Sequence, residues 1–306
     1  MKLLYNGTDI YNDVSVNYCV HEMFAEKQAD TLVVRFNDVN GVWSKWAPAD
    51  GDEIRLKEGA GDTGKMFVHS MKSENGLYTI RAMSMPQSCK TRRSKSWEGV
   101  RFLPLANEFA GNHGLTFQNY GCADYVYSHV KQDNETDVAM FSRICRQEGY
   151  QMLIYDGKLL AYNEHYIEQQ TPAGTLEVGA DGNFAYYDNR GTCYGSCEIK
   201  GGKYSGKFTA PGSRSTAVLR PEHQITVTSN TEAARFAKGL LRDANKYGRT
   251  GQFSKALLPG YAAASLLQLK TKKASAWDGT VFVYKVRHDY VANKSTLYFR
   301  DVLEGY

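Results

Sequence analysis

The stretch Asp278 to Val302, DGTVFVYKVRHDYVANKSTLYFRDV, constrains the fold most, because its residues alternate at the two-residue period of a strand and then turn back. Thr280, Phe282, Tyr284 and Val286 share one face, Ala292-Asn293-Lys294-Ser295 supplies a polar connection, and Leu297 to Val302 returns, which predicts a hairpin. A fainter copy stands at Gly64 to Ala82, GKMFVHSMKSENGLYTIRA. There Phe67-Val68 takes the place of Phe282-Val283, Glu74-Asn75-Gly76 makes the turn, and Leu77-Tyr78 matches Leu297-Tyr298. Upstream, Asp50 to Leu56 precedes the first hairpin much as Pro259 to Leu269 precedes the second. Two hairpins with like approaches predict two similar small β-domains; the bland alternative is the likeness that any two antiparallel hairpins share.

The chain's 306 residues make two or three domains. Asn6 and Asp9 interrupt the start before an apolar run forms, and no stretch approaches the roughly 18 apolar residues of a membrane helix, so a soluble protein made in the cytoplasm, without membrane insertion, is expected. Cys19, Cys89, Cys122, Cys145, Cys193 and Cys197 are scattered, which predicts free thiols. Cys193 and Cys197 are the only close pair and lack the further ligands of a zinc site. A net charge of +4 is too mild to mark a nucleic-acid binder, and 21 tyrosines fit a β-rich protein with wide contact surfaces.

Residues 1–86 read as short strands punctuated by Asn6-Gly7, Asn40-Gly41, Asp50-Gly51 and Asn75-Gly76, the pattern of a small barrel, with Trp43 and Trp46 in a loop. Residues 87–171 read as an α/β module. It opens with a basic loop (Lys90, Arg92, Arg93, Lys95, Arg101) and a helix starting around Val100 that carries Phe102, Leu103, Leu105, Ala106, Phe109 and Ala110 at three- and four-residue spacing. A second helix carries Val138, Phe141, Ile144 and Cys145 on one face, with Thr136 or Asp137 as cap and Gly149 as stop, before a tight hairpin around Asp156-Gly157. Residues 172–306 form the second β-barrel domain. In it Gly201 to Ser215 read as an exposed loop, Glu222 to Thr228 as a strand, and 231–247 as an amphipathic helix. That helix is expected to pack on the last β-domain through Ala234, Ala237, Leu241 and Ala244, leaving Lys238 and Arg242 exposed. The fold class is thus α+β and β-dominated, with two similar small β-barrel domains and an intervening α/β module.

Four stretches, in this order, resemble the late control protein D group, the central baseplate hub proteins of tailed phages and tailocins, related to the trimeric base of secretion-system spikes. They are KTRRSKSWEGVRFLPLANEFAGNHGLTF from Lys90, QDNETDVAMFSRICRQEGYQMLIYDGKLLAY from Gln132, TEAARFAKGLLRDA from Thr231 and DGTVFVYKVRHDY from Asp278. The second is the most specific, through Gln132, Glu135, Asp137, Phe141, Gly149, Tyr150 and Gly157. The resemblance implies a homotrimer whose two barrels per chain make a pseudo-six-fold ring, joining the six-fold tail tube to the three-fold spike. Its partners would be tube, spike and other baseplate proteins, with transient passage of DNA through the lumen. Its place would be the tail baseplate of a virion or tailocin, assembled in the host cytoplasm. No appended lysozyme or spike is recognisable, which leaves a bare hub.

The runner-up is a tail-associated cell-wall hydrolase, glycosidase or peptidase, with Glu135, Asp137 and His129 or His165 as its candidate groups. Two acids two positions apart at a helix start are better placed to meet unpaired backbone N–H groups than to face each other across a cleft. No nucleophile elbow or phosphate loop is present in the sequence. His288 in KVRHDY matches a histidine of the family's last domain, yet beside Arg287 and Asp289 it suits a structural hydrogen bond; His69 stands in a related, offset place. No catalytic, cofactor-binding or metal residue is assigned, and no enzyme activity, metal or organic cofactor is expected.

Overall fold

The computed structural model describes residues 1–179, 183–223, 225–272 and 274–306. The N-terminal part contains β1 (Lys2–Tyr5), β2 (Thr8–Asp9), β3 (Val16–Phe24), β4 (Thr31–Asn37), α1 (Val42–Trp46), β5 (Glu53–Glu58), β6 (Gly61–Asp62), β7 (Met66–Glu74) and β8 (Leu77–Met83). Next come β9 (Arg92–Arg101), α2 (Phe102–Asn112), β10 (Thr116–Tyr120), β11 (Val126–Thr136), α3 (Asp137–Glu148), β12 (Tyr150–Tyr155), β13 (Lys158–Asn163) and α4 (Glu164–Glu168). The rest holds β14 (Thr175–Val178), β15 (Phe184–Asp188), β16 (Ser196–Gly201), β17 (Tyr204–Thr209), β18 (Val218–Leu219), α5 (Asn230–Asn245), β19 (Arg249–Ala256), β20 (Ser265–Thr271), β21 (Gly279–Asp289) and β22 (Lys294–Asp301).

Alternation builds the first barrel. In β4, Leu32, Val34 and Phe36 point inward and are fully buried, while the residues between them are partly exposed. Inward residues of β1, β3, β4, β5, β7 and β8 touch one another in a single cluster, which requires the sheet to curl on itself. Helix α1, in place of the expected loop, lowers Trp43 into that core, stacked on Phe36 at a centroid distance of 4.1 Å and on Tyr78 at 5.7 Å. A separate cluster on β19, β20, β21 and β22, with Phe253, Leu267, Val283 and Phe299, fills the second barrel.

The two barrels share a strand order. Chain-ordered strands β3, β4, β5, β7 and β8 lie side by side as β3-β4-β8-β7-β5, and β15, β19, β20, β21 and β22 lie as β15-β19-β22-β21-β20, every neighbouring pair antiparallel. The likeness of the two hairpins extends to a β-bulge after Val68 in one and after Val283 in the other. The bulge interrupts the strict alternation expected of β21: Val281, Val283 and Val286 line the barrel core, and Phe282 faces out to a small cluster with Tyr162 and Leu266. It also corrects the match of the returning strands, since Arg81 is the residue that pairs past the first bulge as Tyr298 does past the second.

The structure differs from expectation in four further places. Arg92–Arg101 is a strand, paired with β11, where the basic residues were expected in a loop. Residues 204–209 form β17 on the edge of β16, where an exposed loop was expected, and among the described residues of 222–228 there is no strand. Helix α5 does not pack on the last barrel. It lies on β16, β17 and α3, and Ala233, Phe236, Ala237 and Leu241 join the core of the module with Phe102, Phe141 and Ile144. Ala244 is exposed and Arg242 is buried, the reverse of the expected faces, while Lys238 is exposed as expected.

Candidate functional site

The three parts of the molecule converge on a buried ionic network. Helix α4 presents Glu164 and Glu168 one turn apart, and α5 presents Arg242 and Lys246 at the same spacing, so each pair shares a helix face. Arg242 reaches Glu164 Oε2 at 3.2 Å and Glu168 Oε2 at 2.5 Å; Lys246 reaches Glu164 Oε1 at 3.3 Å and Asp243 at 3.0 Å. From β22 of the second barrel, Arg300 donates to Glu164 Oε1 at 3.0 Å and Glu168 Oε1 at 2.6 Å. From the end of β3 in the first barrel, Glu26 accepts from Lys246 and from the Tyr247 hydroxyl. Glu164, Arg242, Lys246 and Arg300 are each 2% exposed or less.

Burial by itself would raise the Glu164 pKa, but the fields of Lys246, Arg300 and Arg242 outweigh it and hold the carboxyl down at about 2. The same carboxylates raise Lys246 against the opposing effect of its burial. A second tie joins α3 to α5: buried Glu148 accepts from Arg235 at 2.6 and 3.1 Å and from the Tyr127 hydroxyl at 2.9 Å.

Beside this network the barrels meet strand to strand. Beyond its bulge, β21 pairs antiparallel with β3, which makes one sheet continuous through both barrels and sets His288 across from His21. A cavity of about 320 Å³ opens there, lined by His21, Asp30, Tyr155, Tyr261, His288 and Tyr290 among others. His288 exchanges hydrogen bonds with the Ser295 hydroxyl (2.7 Å, Nδ1) and the Tyr261 carbonyl (3.0 Å, Nε2), and Leu258 N–H donates to the same Ser295 oxygen. The carbonyl can only accept, so Nε2 carries the hydrogen and Nδ1 takes one from serine. Burial keeps both rings neutral, lowering His288 and pushing His21 down to about 3.

Three solved structures are similar to this chain in fold. A tail protein from Neisseria meningitidis MC58 superposes with a TM-score of 0.77 at 10% identity, over 98% of this chain and 95% of its own. The 43 kDa tail protein of prophage MuSo2 from Shewanella oneidensis gives 0.75 at 10% identity, over 98% and 97%. The chain has the fold of phage tail proteins. An Escherichia coli component of the type VI secretion system, itself structurally similar to T4 bacteriophage tail proteins gp27 and gp5, gives 0.62 at 12% identity, over 100% of this chain and 78% of its own. No protein-family model matches the sequence, and no curated protein matches it.

The residues considered for hydrolysis do not gather. Thr136 caps α3, its hydroxyl accepting from Ala139 N–H at 3.1 Å. Glu135 pairs with Arg143 at 2.6 Å. Asp137 is buried and accepts from Gln132 at 2.8 Å, Asn112 at 2.9 Å and His113 at 3.1 Å. His129 pairs with Glu98 across the β9–β11 ladder, and His165 meets Gln169 on α4; neither bonds to Glu135 or Asp137. A groove of about 520 Å³ along β11 is lined by His129 but by neither of those acids.

Cys193 donates to Asn245 O at 3.7 Å and Cys197 lies in the module core. Of the basic run, Lys95 pairs with Glu108 at 2.6 Å, Arg101 with Asp124 at 2.9 Å, and Arg92 donates to Asn134 O at 3.0 Å.

Sequence reasoning missed the ionic network and the chain Ser88–His113–Asp137. The first had a signal in the matched four-residue spacings of Glu164/Glu168 and Arg242/Lys246; the second had none, its members being separated by 25 and 24 residues.

Proposed function

We propose that the chain is a structural hub of a phage or tailocin baseplate, acting as a homotrimer that joins a six-fold tail tube to a three-fold spike. The observation that carries this is the strand order repeated in two barrels that meet edge to edge. Three copies of such a chain set six like barrels around one axis while keeping three-fold symmetry for whatever sits on the other side. The shared fold of the Neisseria and Shewanella tail proteins supports the reading, and the secretion-system protein supports its extension to spike-bearing machines. Tube, spike and other baseplate proteins are the partners, the particle baseplate is the location after assembly in the host cytoplasm, and DNA passes through the lumen without a dedicated binding site.

Light scattering on hub released from particles is expected to give a mass of three chains. A stable dimer or hexamer would count against the proposal.

One observation favours the hydrolase reading. His113 links the exposed Ser88 hydroxyl (3.1 Å) to buried Asp137 (3.1 Å), a serine–histidine–carboxylate chain. The apolar space beside His113 and Asp137 measures only about 10 Å³, room for about one water and no substrate. Peptidoglycan release by the purified chain, lost in a stably folded Ser88→Ala variant, would install the hydrolase in place of the hub.

A further inference from the structure

The internal joint between the barrels has two unused halves. After its bulge, β21 pairs with β3 so that Lys285 faces Phe24, Arg287 faces Glu22 and His288 faces His21, and Tyr290 N–H donates to Cys19 O at 2.9 Å. The shared strand order gives each of these residues a counterpart in the other barrel. Val68 pairs with Ala82, Ala82 with Leu32, and Leu32 with His21. In the second barrel Val283 pairs with Phe299, Phe299 with Gly251, and Gly251 with Tyr186. His21 of β3 therefore corresponds to Tyr186 of β15. Since the bulges follow Val68 and Val283, Ser70 to Glu74 of β7 correspond to Lys285 to Asp289 of β21.

These counterparts are the edges the chain leaves open. Among the described residues β15 pairs with β19 alone, and β7 past its bulge pairs with β8 alone, its contact with β5 ending at Phe67. Lys72, Ser73 and Glu74 are exposed, and Tyr187 is 49% exposed. Asn189 N–H and Asn183 O are spent on the β19 side, so the peptide groups of Tyr186 and Asp188 point outward. Two such rows of unpaired donors and acceptors are templates for strand addition.

We propose that a second copy of this chain covers them: Ser70 to Glu74 of one copy pair antiparallel with Ala185 to Asn189 of the next, in the register of the internal joint. Met71 then faces Asp188, Lys72 faces Tyr187 and Ser73 faces Tyr186. Each copy offers one edge of each kind, so the contact is head to tail and closes a ring in which internal and intermolecular joints alternate. This rests on the ring of copies proposed above and adds the strands and register that close it.

The test is a chain carrying both Lys72→Cys and Tyr187→Cys. The pair is of the non-hydrogen-bonded kind, with Cα atoms roughly 4.5 Å apart and within disulfide reach. Diamide oxidation of the assembled protein should link copies into disulfide-bonded multimers up to three chains, and neither single-cysteine variant should do so. Ser73→Pro removes an N–H that, like that of His288, faces away from the hairpin partner; it should leave the melting of the monomer unchanged and lower the assembled fraction at least tenfold, while Ser73→Ala leaves assembly intact. A ring of three that forms normally with Ser73→Pro and gives no cross-link overturns this joint and leaves the hub standing. A wild-type chain whose mass in particles is not that of three copies removes the hub reading before any variant is made, and the joint with it.

Discussion

Glu164 shows how a single side chain can tie distant parts of a chain. Its cationic partners Arg242 and Arg300 lie 78 and 136 residues away, so the four-residue spacings on α4 and α5 mark charged faces without saying that these faces meet and are buried. Capping by Thr136 and the left-handed turn at Asp156-Gly157 (φ 48° and 72°) were legible because their causes lie within a few residues. Glu164→Gln leaves three buried cations short of a charge and is expected to cost about 3–5 kcal/mol in urea unfolding at pH 7. The sign of its pH dependence follows from a folded pKa of about 2 against an ordinary 4.5: the stabilisation is complete above pH 4.5 and is lost as pH falls towards 2. His21 acts in an earlier window. An unfolded histidine takes up a proton near pH 6.5 and folded His21 does so only near 3, so its contribution is present above pH 6.5 and declines below it. At pH 5.5 the loss is about 1.4 kcal/mol, and His21→Gln should remove that much of the difference between unfolding free energies at pH 7.5 and 5.5. An unchanged difference would mean that His21 titrates normally.

At the scale of elements, periodicity located helices well and assigned their partners poorly. The stripe of Ala237 and Leu241 in α5 was visible in the sequence, and the buried face is real, but a stripe says only that something covers it. What covers it is set by backbone approach. A Cβ on Gly239 would sit 2.3 Å from Gln147 O and 2.4 Å from Gly149 N, so α5 can cross the end of α3 there only on a glycine. Gly149, in turn, ends α3 in the left-handed region at φ 73°. Gly239→Ala is therefore expected to destabilise by about 1–3 kcal/mol, although alanine in an open helix would gain up to about 1 kcal/mol, and Lys238→Ala on the exposed face should stay within about 0.5 kcal/mol. Thermal melts of the two variants decide the matter. A stabilised Gly239→Ala would mean that α5 does not approach α3 this closely.

Across the whole molecule the boundaries near 86 and 171 that composition suggests do not separate independent bodies. Residues 196–245 return to the module's core, so the module is discontinuous in sequence, and a linear reading had no signal for that return beyond an amphipathic helix, whose partner it took to be the last β-domain. The β3–β21 ladder carries one sheet through both barrels, and Glu26, Glu164, Glu168, Arg242, Lys246 and Arg300 span first barrel, module and second barrel in one buried network. Unfolding any one part would strand charges of the others in a low-dielectric interior, a cost of several kcal/mol per ion. Heat denaturation is accordingly expected as a single transition with calorimetric and van't Hoff enthalpies in agreement, despite a length at which separate domain transitions are common. Arg300→Met, which withdraws the second barrel's cation from Glu164 and Glu168, should lower that transition and split it, the second barrel melting first. Two transitions already present in the wild-type chain, unaffected by Arg300→Met, would show that the barrels fold as separate domains and that the network contributes nothing to their coupling.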